Sequence, residues 1–286
     1  PDRRTGNNCR YSMRDAALGA FAVFFTQSAS FLAFQKGLAK AKGQSNTQTL
    51  FGMEAIPCDN HMRTLLDEVP PAQLFAVFPA VEAGLHADGR LETLRGFNDQ
   101  LLIALDGVEY FSSQKISCPH CTHRTHRNGM ITYSHQMITP VIVAPGQDKV
   151  IPLIPEFITP QDGHEKQDCE TAAAKRWLDQ HGTHYRRLRA TLLGDDLYSR
   201  QPLCEAILAA GFHFILVCKP DSHPTLYDWL AGLSVPTRVV RRWTGHGHLT
   251  DTYRYLNDLP LRDGDDALRV NWCELTTTRD DGTVVY

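Results

Sequence analysis

Hydrophobic positions along the chain change texture near residue 100. Before it they recur at helical spacing. Ser12 and Asp15 have capping-box spacing ahead of a run through Phe25 that is apolar on nearly every face, which predicts a buried helix. "KGLAKAKGQSN" reads as a polar, glycine-punctuated connection. In "IPCDNHMRTLLDEVPP", Pro57 and Asp59 open a helix that Pro70 and Pro71 close. A further helix is expected over about 71–78, and one over about 91–102 competes with a strand there.

From residue 101 the pattern is that of strands. "LLIALDG" is a short apolar run bounded by glycine and predicts a buried strand. "GMITYSHQMITPVIVAP" and "KVIPLIP" read as adjacent strands of a meander. "GHEKQDCETAAAKRWLDQHG" carries acids early and bases late, predicting a helix that ends at Gly182. "ATLLGDD" is a second apolar strand ending on acid, "RQPLCEAILAAG" a helix stopped by Gly211, and "FHFILVCKP" a strand. "TRVVRRWTGHGHLTDTYRYLN" and "LRVNWCELTTTRDDGTVVY" alternate like antiparallel strands. This order predicts a mixed α/β layer with a helical front segment over 1–98, a core over 99–220 and a β-rich segment over 221–286.

Composition changes this picture little: 286 residues, 42% hydrophobic and 21% charged, are ordinary for a globular chain. The apolar run Ala16 to Phe25 is too short to span a bilayer, and no basic leader with a cleavage site precedes it, so a cytoplasmic protein with no membrane partner is expected. Eight scattered cysteines signal no disulfide framework. A net charge of −3 weighs against bulk affinity for nucleic acid. Basic clusters exist nonetheless, at Arg186, Arg187 and Arg189 and at Arg238, Arg241 and Arg242, either solvated faces or phosphate contacts. The short helix with His61 and Arg63 is either a packing helix or one that enters a DNA groove.

Two apolar strands end on carboxylates, at Asp106 and at Asp195. If the strands are neighbours, the two charges meet at one sheet edge and need a cation or a proton between them. Mg²⁺ takes oxygen ligands and leaves room for phosphate. The alternative is that Asp106 forms a turn and that Asp195 or Asp196 caps the helix near Arg200.

The segments "LLIALDGVEYFSS", "ITPVIVAPGQDKVIPLIPEFITPQDGHEKQDCETAAAKRWL", "LLGDDLYSRQPLCEAILAAGFHFILVCKP" and "YSMRDAALGAFAVFFTQSASFLAF" resemble the DDE-type transposases of bacterial insertion sequences, whose catalytic core is RNase H-like. The resemblance implies an RNase H-like mixed sheet with flanking helices, Asp106 and Asp195 as catalytic, metal-binding aspartates, and Tyr198 as the aromatic that follows the second. Asp196 is the alternative if the register slips by one. It also implies Mg²⁺ or Mn²⁺ as cofactor, cleavage of transposon-end DNA by activated water, attack of the new 3′ hydroxyl on target DNA, and a homodimeric synaptic complex at the nucleoid. The family's third carboxylate is a glutamate on a helix after a β-rich insertion. Here the chain stops inside the apparent insertion, and Glu274 lies in a strand pattern, so a truncated, inactive reading frame is expected. Arg241, Arg242 and Arg254 in the insertion are the expected phosphate contacts, with Arg63 in the front segment. Alternatives are a non-catalytic or domesticated RNase H-like DNA-binding protein, or a zinc-dependent interaction module.

The zinc alternative comes from "CPHCTHRTH", where Cys118 and Cys121 have knuckle spacing and His123, His126 and His135 are candidate partners. His126 and His135 are favoured, because His123 is too close to Cys121. Without zinc this stretch is a polar hairpin tip. His246 and His248 in "WTGHGHLTD" read as a turn with two exposed histidines rather than a metal bridge.

Overall fold

The computed structural model describes residues 4, 9, 11–40, 46–55, 58–160 and 168–286. Pro57, the connection over 41–45, and residues 163–167 of the predicted helix lie outside these. The chain divides into two units, 1–76 and 77–286, so residues 77–98 belong with the second.

The first unit is helical. Helix α1 (Met13–Phe25) begins as its capping residue dictates, with the Ser12 hydroxyl accepting the Asp15 N–H at 2.9 Å. It is not buried all round. Ala16, Gly19, Ala22 and Val23 face inward, whereas Phe21, Phe24 and Phe25 are exposed, and Phe21 and Phe25 set their rings edge-on to Phe51. Helix α2 (Phe31–Lys40) runs into the stretch expected to be a connection, anchored by buried Phe34. Helices α3 (Asn46–Phe51) and α4 (Asp59–Asp67) follow, and Met62 and Leu65 of α4 pack on Ala16.

In the second unit, Pro79 falls in the first turn of helix α5 (Val77–Ala87), where its missing N–H has no helical partner to lose. No helix spans 91–102; two single turns lead into strand β1 (Leu101–Ala104). Beyond it come β2 (Gly107–Ser113), β3 (Thr122–Thr125), β4 (Ile131–Ile138), β5 (Val141–Val143), β6 (Ile151–Pro152) and β7 (Glu156–Ile158). Helix α6 (Glu170–Arg186), β8 (Ala190–Gly194), α7 (Gln201–Ala209), β9 (His213–Leu216) and α8 (Pro224–Ala231) complete the α/β part. Strands β10 (Thr237–Trp243), β11 (His248–Pro260) and β12 (Arg269–Arg279) close the described chain.

The main sheet has the order β6-β5-β1-β8-β9, with β1, β8 and β9 parallel and β5 antiparallel to both its neighbours, β1 and β6. Its centre is apolar: Leu101, Ile103, Ile142 and Leu192 are fully buried. The predicted meander is split at Pro140, since β4 belongs to a second sheet with β2, β3 and β7 while β5 belongs to the main one. Helix α6 buries Ala173, Ala174, Trp177, Leu178 and Tyr185, one stripe at helical spacing. Trp177 donates its indole N–H to the Ile154 carbonyl at 2.8 Å and stacks on Tyr185. The helix does not end at Gly182. That residue lies against Ala210 and Phe212, so it serves close packing rather than a cap.

Strands β10–β12 form a separate antiparallel sheet, and Leu259 and Trp272 pack on Leu226 and Leu230 of α8. The fold is mixed α/β with several sheets, and no helix among the described residues is long and apolar enough to cross a membrane.

Candidate functional site

Strands β1 and β8 lie side by side in parallel, with Ala104 opposite Leu193. Asp106 and Asp195 each follow that registered pair by two residues, so this equal offset delivers both carboxylates to the same end of the sheet. The Leu105 N–H to Leu193 carbonyl bond, 2.8 Å, keeps the two chains paired up to that end. Each aspartate commits one oxygen to the backbone. Asp106 Oδ1 accepts the Gly107 N–H at 2.8 Å, and Asp195 Oδ1 accepts the Leu197 N–H at 2.9 Å. These bonds orient the side chains. Asp195 thus caps the single turn 196–198 and not helix α7, whose N-cap residue Arg200 makes no side-chain capping bond.

A third carboxylate stands with them. Glu170 is the first residue of α6 and lies directly over Gly107, where a Cβ would come within 2.3 Å of its Cδ. Only a glycine allows this approach. The buried Tyr198 hydroxyl donates to Glu170 Oε2 at 3.3 Å. Burial pushes the Glu170 carboxyl above the ordinary range, and Asp106 and Asp195 add to the effect, while the Tyr198 bond opposes it. Tyr198 is likewise pushed upward, by burial first and then by Glu170, Asp106 and Asp195. Glu170 alone bonds the buried hydroxyl, and the charges of Asp106 and Asp195 act on both the hydroxyl and Glu170.

The start of α6 is held from outside this cluster. Arg176 makes a two-pronged contact with Asp168, at 2.9 and 2.8 Å, and also bonds Glu156 Oε1 and the Phe157 carbonyl. It thereby ties β7 to the residue two before Glu170. Burial works to raise the Asp168 carboxyl, but the Arg176 guanidinium and the Thr159 N–H outweigh it and hold the group below the usual range.

Asp196 turns to other work. It accepts the Lys219 N–H at 2.7 Å and the Ser222 hydroxyl at 2.5 Å, fixing the loop after β9. Behind it, the buried Ser199 hydroxyl meets His223 Nε2 at 2.6 Å.

The other predicted residues are dispersed. Arg241, Arg242 and Arg254 form ion pairs with Asp280, Asp251 and Glu274 at 2.8, 2.7 and 3.2 Å, so their charges are balanced within the β10–β12 sheet. Glu274 is thereby committed to Arg254, far along β12. In the first unit, the exposed Arg63 lies over the Phe31 ring and His61 lies against Tyr11. His246 sits in the turn between β10 and β11, while His248 opens β11 edge-on to Trp243.

Cys118, Cys121 and His135 come together, with donor atoms 3.3 to 3.7 Å apart. His126 does not join them, because its Nε2 bonds Thr132 Oγ1 at 2.8 Å. His123 is paired opposite Tyr133 on β3.

Glu170 is the site member that sequence reasoning passes over, since an acid in a first helical turn reads as a complement to the helix dipole. The available signal was the glycine directly after Asp106. Comparison with protein-family models matches none of them, and comparison with curated proteins likewise gives no match.

Proposed function

We propose that this chain is a DDE-type DNA transposase whose residues 99–220 form an RNase H-like core that cleaves and joins DNA strands. The observation that carries the reading is the alignment of Asp106 and Asp195 at the ends of neighbouring parallel strands, with Glu170 held over Gly107, the residue after the first of them. A purely structural pair of turn aspartates does not account for a third carboxylate held over Gly107 at an electrostatic cost.

The donor set fits a hard divalent cation, being made of carboxylate oxygens at an exposed sheet edge. Asp106 and Asp195 would hold Mg²⁺ or Mn²⁺, with Glu170 over Gly107 as a third carboxylate in place of the expected helix glutamate, so that nicking by this chain is proposed where an inactive frame was expected. A metal held there would supply activation of an attacking oxygen and stabilisation of a leaving one in phosphodiester chemistry. The protein's part is positioning. The backbone N–H bonds set the aspartate rotamers, Tyr198 orients Glu170, and the Arg176 clamp fixes the helix that carries it. DNA is the proposed partner, with two copies of the chain in the synaptic complex and a cytoplasmic, nucleoid-associated location.

The test uses Fe²⁺ with ascorbate to cleave the polypeptide wherever the ion binds, alongside Mn²⁺-dependent nicking of supercoiled plasmid. Cuts near residues 106 and 195 that excess Mg²⁺ suppresses are expected. Cuts and nicking should both disappear in Asp106→Ala and in Asp195→Ala. Nicking that survives in Asp106→Ala refutes the catalytic assignment, and an absence of cuts at both strand ends refutes the metal site.

A further inference from the structure

The loop between β2 and β3 carries Cys118 and Cys121, and β4 brings His135 beneath them. The Sγ atoms are 3.7 Å apart, and His135 Nε2 is 3.3 Å from one and 3.4 Å from the other. These separations exclude a disulfide, whose sulfurs lie about 2.05 Å apart. They match the edges of a tetrahedron around zinc. Zn–S near 2.3 Å and Zn–N near 2.0–2.1 Å place two sulfurs about 3.8 Å apart and a sulfur and a nitrogen about 3.5 Å apart.

The surroundings prepare the three donors. The Cys121 N–H bonds the Cys118 carbonyl at 3.1 Å, closing the turn, and the Cys118 N–H points at Cys121 Sγ at 3.3 Å. A β-bulge acts on the histidine. Pairing of β2 with β4 jumps from Glu109 opposite Gln136 to Phe111 opposite His135, which leaves Tyr110 as the extra residue. Tyr110 and Phe111 therefore both reach the imidazole, the first stacked at 5.8 Å and the second tilted at 5.4 Å. An imidazole held against two rings has its orientation restricted before any ion arrives.

The geometry points to a zinc site formed by Cys118, Cys121 and His135, with water at the fourth corner beside exposed Cys118. Thiolate and imidazole donors favour Zn²⁺ over the Mg²⁺ or Mn²⁺ proposed for the carboxylate edge. The site closes the chain from 118 to 135 and so pins the far end of the β2–β4–β3 sheet. It stands independently of the transposase reading, since none of its residues belongs to the carboxylate cluster.

The measurement is elemental analysis of the full chain, purified without a histidine tag or added metal. About one zinc per chain is expected, lost in Cys118→Ser and in His135→Ala and kept in His126→Ala. A second readout needs no variant, namely alkylation of Cys118 followed by mass spectrometry, before and after a chelator. Cys118 should be protected until the chelator is added, whereas exposed Cys169 and Cys273 react throughout. Substoichiometric zinc in the wild-type chain, or Cys118 alkylated equally with and without chelator, overturns the proposal.

Discussion

Replacing Gly107 by alanine isolates the contact that brings Glu170 to the sheet edge. The backbone there is not in the left-handed region, so alanine is conformationally acceptable and any cost comes from crowding. The new Cβ would lie 2.3 Å from Glu170 Cδ and 2.5 and 2.6 Å from its oxygens. Since carbon contacts are favourable at about 3.5–4.0 Å, the carboxylate must retreat by more than roughly 1 Å. Its bond from Tyr198 is then lost, leaving a buried hydroxyl unpaired at a cost of about 1–3 kcal/mol. Relief of the repulsion from Asp106 and Asp195 offsets part of this. A net destabilisation of about 1–2 kcal/mol follows.

In a Glu170→Ala background the added methyl enters vacated space, and its cost should fall below about 0.5 kcal/mol, giving a coupling of about 1 kcal/mol. Urea unfolding followed by tryptophan fluorescence suits the measurement, because Trp177, Trp229, Trp243 and Trp272 all lie in the second unit. An equal cost of Gly107→Ala in both backgrounds would refute the proposed contact.

Two further outcomes concern the residues around Glu170. Arg176→Ala should destabilise the second unit by about 3–5 kcal/mol in the same assay, because it strands the fully buried Asp168 carboxylate; a loss under about 1 kcal/mol would sink that reading. Stability should also depend on pH through Glu170, whose folded-state pKa is raised, so its relative contribution is present below its unfolded value and lost as pH rises through the folded one. Glu170→Gln should therefore be more stable than wild type at neutral pH, with the advantage shrinking as pH falls through the carboxylate range. A pH-independent difference between the two proteins contradicts this.

The elements that sequence reading captures are those whose own residues determine them. Both strands of the carboxylate edge are short apolar runs ending on acid, and the Ser12 cap and the stripe on α6 are likewise local features. What escaped it depends on partners distant in the chain. The three phenylalanines of α1 follow helical spacing, yet whether each is covered depends on elements that periodicity does not specify. Gly182 has the composition of a helix end but sits against Ala210 and Phe212, which no local rule reveals. The split of the meander at Pro140 sends two consecutive strands into different sheets. For the cysteine cluster, spacing picks out Cys118 and Cys121, but the choice between His126 and His135 depends on the β-bulge and on Thr132.

Asp106 has one more property that follows from where the two sheets meet. The chain leaves the main sheet at β1, passes Asp106 and enters the outer sheet as β2, while the neighbouring β4 returns through Thr139 into β5. The Thr139 N–H bonds the Asp106 carbonyl at 3.0 Å, so the two crossings are stitched together. Mechanically this is a crease, with Asp106 on the fold line and Asp195 on the stationary panel. A tilt of the outer sheet would turn one carboxylate and leave the other in place, which would make the angle of the crease the quantity that sets their spacing.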